Sequence, residues 1–268
     1  MLDPFTLRAF ISVFFMSLSA PIMVIMLLRG ALYITPEISH AALGGAALGV
    51  LLQTLFMTLI DPFIIVILFC AGVAILTAYV GRSGLQSLSM MMSALLAVSV
   101  TIYALIRSWL PIEKRIIVDG YLISDILLLS DIDMINLAVT SIISFLITLV
   151  FYKEFIYICF DADTAEALGL RVKLYDALLF ATTSIAAAVI VKAVGVLLSV
   201  ALLILPAAAS RILARNINRM FAASFMLVLL SGAIGIALSY QFNIPTSGAI
   251  AFTSTIIFAL AYLTKLKK

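Results

Sequence analysis

The sequence predicts an all-α membrane protein, a polytopic bundle of about eight or nine transmembrane helices with one short polar helix between spans. Three observations carry that expectation. The 268 residues are 65% hydrophobic and only 11% charged, and their mean hydropathy is +1.28, far above an ordinary soluble domain. The few charges cut the chain into uncharged runs of about the 20 residues a bilayer crossing needs. A water-soluble fold of this composition would expose contiguous apolar patches large enough to aggregate.

The runs follow in order. Arg8 precedes the apolar stretch 9–28, which is longer than the 7–15 residues of a signal-peptide core and reads as a first, retained spanning helix. Uncharged runs 41–60, 62–81, 83–106 and 134–152 come next, then 177–191 and 193–210 on either side of Lys192. The stretch 220–264 is too long for one span, and Gln241–Gly248, with Pro245, divides it. That makes about nine crossings. Residues 120–130 are too few to span and read as an external or re-entrant segment.

Orientation follows from Lys and Arg. Arg171 and Lys173, then Arg211, Arg215 and Arg219, then Lys265, Lys267 and Lys268 are separated by even numbers of spans, so all can share the cytoplasmic side. Arg29 and Arg82 fall on that side too, which places the N-terminus outside and the C-terminus inside. Lys114 and Arg115 fall on the other side, accompanied by Glu113, Asp119 and Asp125.

Interface signals recur within the runs. Ala41, Gly45 and Gly49 are spaced by four, as are Ser231 and Gly235, a spacing that lets helix backbones touch. No internal repeat or second domain is visible, so residues 1–268 read as a single transmembrane domain. The net charge of +3 reflects basic loops rather than a nucleic-acid footprint. Cys70 and Cys159 form no framework and read as small buried hydrophobes.

Between Lys192 and Arg211 lie eighteen uncharged residues, about 27 Å as a helix. Pro206 inside them has no N–H, so the carbonyl of Leu202 loses its helical partner. In lipid such a gap must be filled by neighbouring groups, and the small residues 207–210 let a neighbour approach. This segment therefore predicts a span packed inside protein, with Gly195 and Pro206 as candidate gating or helix-break positions.

Several chemistries are absent from the sequence. There is no G-x-x-x-x-G-K-[ST] loop, no H-E-x-x-H and no G-x-S-x-G, and His40 is the single histidine. The chain reads as a non-enzyme. The substantial polar loop, about residues 161–170, reads as a short capped helix. Asp161 or Asp163 serves as N-cap, acidic side chains favour its first turn, and Gly169 suits a left-handed terminus. Alone in water so short a helix is unstable, so it rests either on its own bundle or on a soluble partner.

This loop and the run after it resemble the permease subunit of the ATP-binding-cassette importers for zinc, manganese and iron. Asp161-Ala-Asp-Thr-Ala-Glu-Ala-Leu-Gly-Leu is similar to that family's aspartate-led cytoplasmic helix. Residues 194–211 meet the pattern V-G-x-L-L-x-x-A-L-L-x-x-P-A-A-x-A-R, with Ser210 in place of the penultimate alanine. Ser39-His40-Ala41 resembles its S-H-A, and residues 121–127 its Y-L-x-x-x-[IL]-L. Pro245 and Gly248 resemble its P-x-G turn, with one extra residue between them.

The resemblance implies a division of labour. Two copies of this chain form the pathway in a cell membrane, and a separate dimer of cytoplasmic ATPase subunits binds and hydrolyses ATP. An extracellular metal-binding protein delivers the ion, and no cofactor is bound by this chain. Asp161, Asp163, Glu166, Leu168 and Gly169 would belong to the helix that couples to the ATPase. His40 and Glu37, three residues apart on one helical face, are the candidate ligands for the transported divalent cation. The family usually carries an acid four positions before this histidine, where Pro36 stands here.

Met90, Met91 and Met92 point to different helical faces and read as gap-fillers. Lys192 and Arg107 read as membrane-edge anchors, and Asp176 as a partner for Lys173 or Arg171. The alternative functions are a permease for metal chelates of the siderophore or cobalamin kind, and a secondary transporter that needs no ATPase.

Overall fold

The computed structural model describes residues 4–56, 61–122 and 124–266. Lys267 and Lys268, the end of the 41–60 run and one position of the 121–127 pattern lie outside the described residues. Among those described, the elements are helical throughout: α1 Pro4–Leu18, α2 Ala20–Leu28, α3 Ile34–Phe56, α4 Pro62–Gly81, α5 Leu85–Trp109 and α6 Ile112–Asp119. They continue as α7 Asp131–Val150, α8 Tyr152–Phe160, α9 Ala162–Ala167, α10 Val172–Leu213, α11 Ile217–Phe242 and α12 Thr246–Leu266. A single 3₁₀ turn, Ile126–Leu128, lies in the 120–130 segment.

Local chemistry starts and stops these helices. Asp61 caps α4, accepting the Phe63 N–H at 2.9 Å, and Pro62 occupies the first turn, where an N–H would be unpaired anyway. Ser130 and Asp133 cap α7 reciprocally: the Asp133 N–H donates to Ser130 Oγ, whose hydroxyl donates to Asp133 Oδ2. Asn216 accepts the Arg219 N–H to start α11, and Asn243 closes it in the left-handed region at φ 52°. Pro21 near the start of α2 divides the first span, Pro4–Leu28, into two helices.

Among the described residues, eight helical segments are long and apolar enough to cross a membrane by length and composition. One of them, α10, has 42 residues, about 63 Å if straight and twice a bilayer core. It is not straight, because Gly195 leaves the helical region at φ 81° and ψ 167°. Contacts along its length show that the chain reverses there. Before Gly195, Lys173 accepts a hydrogen bond from Arg82 at the end of α4, while Lys192 stands over Phe63 at its start. After Gly195, Ala201 meets Ser254, and Ala209 packs with Leu227 and Ala261 far along α12. The two halves of α10 therefore run in opposite directions and supply two crossings, so nine segments traverse the bundle. The sequence reading divided this stretch at Lys192. The break falls three residues later, because glycine, not the cation, permits the backbone conformation.

α10 is the hub of the bundle and packs against α2, α3, α4, α7, α11 and α12. One face of its second half is buried, including Pro206, Ala207, Ala209 and Ser210, as the proline and small residues required. Ser254 of α12 brings its hydroxyl to 3.5 Å from the Ala201 carbonyl, one residue before the carbonyl Pro206 leaves unpaired. The small-residue spacings mark close approaches. A side-chain carbon on Gly45 would lie 3.0 Å from Val66 Cα, on Gly49 2.6 Å from Pro62 O, and on Gly235 2.5 Å from Ile250 Cα.

The bundle has two ends. Arg8, Asp61, Asp131, Asp133 and Lys192 gather at one, through the ion pairs Arg8–Asp131 and Lys192–Asp133. Arg29, Arg82, Lys173 and Asp176 gather at the other, together with α8 and α9. One expectation is corrected here. Asp176, 1% exposed, pairs with Arg29 in a two-pronged contact of 3.0 Å per bond, not with Lys173 or Arg171. Lys192 and Arg107, read as membrane-edge anchors, also carry partners: Lys192 pairs with Asp133 at 3.0 Å, and Arg107 grips both oxygens of Asp119 at 2.6 Å. Arg29 and Asp133 come from distant sequence, and Asp119 from across the α5–α6 turn, which helix periodicity could not reveal.

Candidate functional site

The candidate metal residues stand at the start of α3, at the Asp176 end. Glu37 lies in the first turn, where the helix dipole favours a negative charge. It is 1% exposed, and Oε1 accepts the Thr77 hydroxyl of α4 at 2.6 Å. Its second oxygen is buried with no hydrogen-bond partner among the described residues. His40, one turn on and half-buried, has Nδ1 at 2.7 Å from the Pro36 carbonyl. A carbonyl can only accept, so Nδ1 carries the proton and Nε2 keeps the lone pair a metal would need.

Glu37 lines a cavity of about 290 Å³ together with Tyr33, Pro36, Ser89, Met92 and Ser93. His40 is not among the side chains lining it. Among the described residues, no group of three or more His, Cys, Asp and Glu is placed to hold a metal ion. The methionine run splits as its helical spacing requires: Met92 is buried and faces this cavity, while Met90 is 61% exposed. Thr77, Ser89 and Ser93 are neighbours of Glu37 that no sequence signal singled out, since isolated hydroxyls in apolar helices are common and their pairing is tertiary.

Gly195, named as a candidate break, is the break. A side-chain carbon there would lie 2.9 Å from both Leu122 O and Ser124 N, so the backbone of Leu122 and Ser124 presses directly onto the break. The Val196 N–H donates to Tyr121 O at 3.2 Å, and the Ser124 hydroxyl donates to Ala193 O at 3.2 Å. Ser247 in the first turn of α12 donates to Ser124 O at 2.8 Å. The short segment thus bridges both halves of α10 and α12. Pro206 lies within the helical second half, eleven residues beyond the hinge.

The polar loop folds as expected. Asp161 caps α9, with Oδ1 accepting the Thr164 N–H at 2.9 Å and Oδ2 the Thr164 hydroxyl. These bonds hold the Asp161 carboxyl below its ordinary range, the Thr164 hydroxyl contributing most. Gly169 takes φ 88°, and the Leu170 N–H returns to Ala165 O at 3.0 Å, a closed left-handed C-terminus. Ala165, 2% exposed, seats the helix on the bundle, while Asp161, Asp163, Glu166 and Leu168 face outward, Leu168 at 74%. The bundle thereby fixes a helix too short to persist alone. It presents an acidic face with one apolar tip.

A second cavity lies at the Lys192 end. Its volume is about 390 Å³, and Gln53, Asp61, Tyr121, Asp133 and Lys192 supply its polar lining. These residues come from α3, the α4 cap, the 120–125 segment, α7 and α10, and sequence spacing brings none of them together.

Apolar segments packed around a buried hub, nine among the described residues with α10 divided at Gly195, and polar cavities at both ends define a multi-pass integral membrane protein. The chain belongs to the ABC 3 transport family, whose model matches residues 2–265. It is similar to the manganese import system permease protein ScaB of Streptococcus gordonii, 28% identical over 240 residues, which cover 88% of this chain and 82% of that protein. It is also similar to the high-affinity zinc uptake system membrane protein ZnuB of Buchnera aphidicola, 27% identical over 85% of both chains. Among solved structures, PsaBC from Streptococcus pneumoniae in complex with Fab contains a chain of the same fold. The TM-score is 0.78 at 24% identity, over 97% of this chain and 91% of that one.

Proposed function

We propose that this chain is the transmembrane permease subunit of an ATP-binding-cassette importer that moves divalent metal ions, zinc, manganese or iron, into the cytoplasm. The observation that carries the reading is α9, a capped helix seated on the bundle of a transport-family chain with its acidic face outward. Its acidic face and Leu168 tip suit a groove on a separate ATPase subunit. The likeness to permeases named for manganese and zinc supports the cargo class.

In this reading two copies of the chain, an ATPase dimer and an extracellular metal-binding protein complete the transporter. The α9 end is cytoplasmic. Support comes from its many basic side chains outside ion pairs, Lys153, Arg171, Lys173, Arg211, Arg215, Arg219 and Lys265, whereas at the other end Arg8, Arg107 and Lys192 are paired with carboxylates and only Lys114 and Arg115 are not, among the described residues. The N-terminus then lies outside and the C-terminus inside. ATP-driven movement of α9 passes through α8 and the first half of α10, both in contact with it, to the hinge at Gly195. Glu37 Oε2 and His40 Nε2 are the atoms offered to the ion, one hard and one borderline donor.

The test is uptake of radioactive zinc or manganese into vesicles holding the full transporter, compared with Glu166→Lys and Leu168→Asp. Both side chains are exposed, so the variants should fold and insert normally. Loss of uptake together with loss of ATPase co-purification is the expected result. Unchanged uptake would sink the coupling role and favour a transporter that works without ATP.

A further inference from the structure

The cavity at the Lys192 end combines features that a water-filled gap between helices would not need. Lys192 reaches into it from α10, its Nζ 3.0 Å from Asp133 Oδ1 and 4.1 Å from the centre of the Phe63 ring. A carboxylate and an aromatic face are what a binding site offers to a cation. Asp61 adds a second carboxylate. Its Oδ1 takes the Phe63 N–H, and its other oxygen makes no hydrogen bond among the described residues. Tyr121 is 8% exposed and lines the cavity, yet its hydroxyl has no partner among the described residues. Burial pushes its pKa up, and the charges of Asp61 and Asp133, which line the same cavity, add to the shift. Gln53 completes the polar lining. Two carboxylates against one ammonium leave the cavity negative.

We propose that this cavity is a way station for a hydrated divalent cation, and that the Lys192 ammonium is its built-in competitor. The arriving ion takes oxygen donors from Asp61 and Asp133, with Gln53 and Tyr121 as neutral donors to the ion or its water, and displaces Lys192 from Asp133. An all-oxygen set suits a hard cation that keeps much of its hydration shell. At about 390 Å³ the space holds on the order of ten waters at ~30 Å³ each. The tethered ammonium explains why such a site would not become a trap. Conduction needs binding strong enough to admit an ion and weak enough to release it, and Lys192 returns to Asp133 as the ion leaves. Lys192 is three residues from Gly195, so occupancy of the cavity and the set of the hinge are mechanically adjacent. That the ion is transported cargo rests on the proposed function; that the cavity binds it does not.

The experiment is a titration of manganese(II) onto the purified full chain in lipid nanodiscs, with free ion read by electron paramagnetic resonance. Glu37→Gln is present in every sample to remove the other candidate carboxylate. Asp61→Asn keeps an N-cap for α4 and should weaken binding by roughly tenfold, as should Asp133→Asn. Lys192→Gln removes the competitor and should tighten binding by roughly three- to tenfold. The opposite signs are the signature, because a structural ion pair would give losses for both partners. Binding by Lys192→Gln equal to or weaker than that of the parent would overturn the proposal, as would Asp61→Asn binding with the parent's affinity. Neither result touches the α9 uptake test, so failure of the cation site and failure of the transport reading are distinguishable.

Discussion

Gly195→Ala tests the hinge. At φ 81° and ψ 167° the backbone lies in a region that essentially only glycine occupies, and an L side chain there costs about 1–3 kcal/mol. The added carbon would also sit 2.9 Å from Leu122 O and from Ser124 N. Both are backbone atoms that cannot rotate away, so Leu122 and Ser124 must shift, for about another 1–3 kcal/mol. The shift would strain the bonds from Val196 to Tyr121 and from Ser124 to Ala193. A total near 3 kcal/mol corresponds to a fall in melting temperature of roughly 6–12 °C for a chain of this size. The assay is thermal unfolding of detergent-solubilised protein, with Gly72→Ala as control. Gly72 is exposed in α4, and a side-chain carbon there meets nothing within 4 Å, so the control should hold or gain stability through helix propensity, by up to ~1 kcal/mol. If Gly195→Ala melts with the parent while keeping uptake, the hinge is not the constrained turn argued here.

Three further outcomes follow from the packing. Arg29→Met strands the Asp176 carboxylate, whose side chain is 2% exposed, and should cost about 3–5 kcal/mol, whereas Arg29→Met with Asp176→Leu should recover most of it; a chemical-denaturation cycle measures both, and additive losses would refute the pairing. Gly49→Val drives a side chain against Pro62 O at 2.6 Å and should destabilise the α3–α4 contact by about 1–3 kcal/mol, while Gly248→Val, with nothing within 4 Å, should leave the melting point within a degree or two of the parent. Asp119 is held below its ordinary pKa of 3.8, chiefly by the Arg107 hydrogen bonds. Its contribution is therefore complete above about pH 3.8 and lost as pH falls through the lower folded value. Fluorescence of Trp109, the single tryptophan, should stay flat from pH 7 to 5 and change only in strong acid; a midpoint above pH 4 would contradict the depressed carboxyl.

Much of the polar helix was legible because its chemistry is local. Asp161 caps through Thr164, three residues away, and Gly169 closes the turn two residues past α9. Such bonds span one turn of chain, so residue order specifies them. The α3–α4 contact was legible for a similar reason, since small residues every four positions leave a groove whatever fills it. The candidate metal pair was legible only as a spacing. Glu37 and His40 do stand one turn apart, but Glu37 turns to Thr77 and a cavity with Ser89, Met92 and Ser93, while His40 does not line that cavity. Which neighbours a spanning helix meets depends on its rotation against the others, and apolar runs of similar length carry little information about rotation.

The same division applies to the whole chain. Sequence by itself determined that the protein lives in a bilayer, roughly how often it crosses, where its short helix is capped and which stretch holds a break, because hydropathy, turn residues and caps act over a few residues. Only the tertiary structure decided that the break reverses α10 at Gly195, that Arg29 neutralises Asp176, and that Lys192 shares a cavity with Asp61, Asp133 and Tyr121. A charge or a bent backbone in an apolar bundle must find its partner through space, and in this chain those partners lie 59 to 147 residues apart.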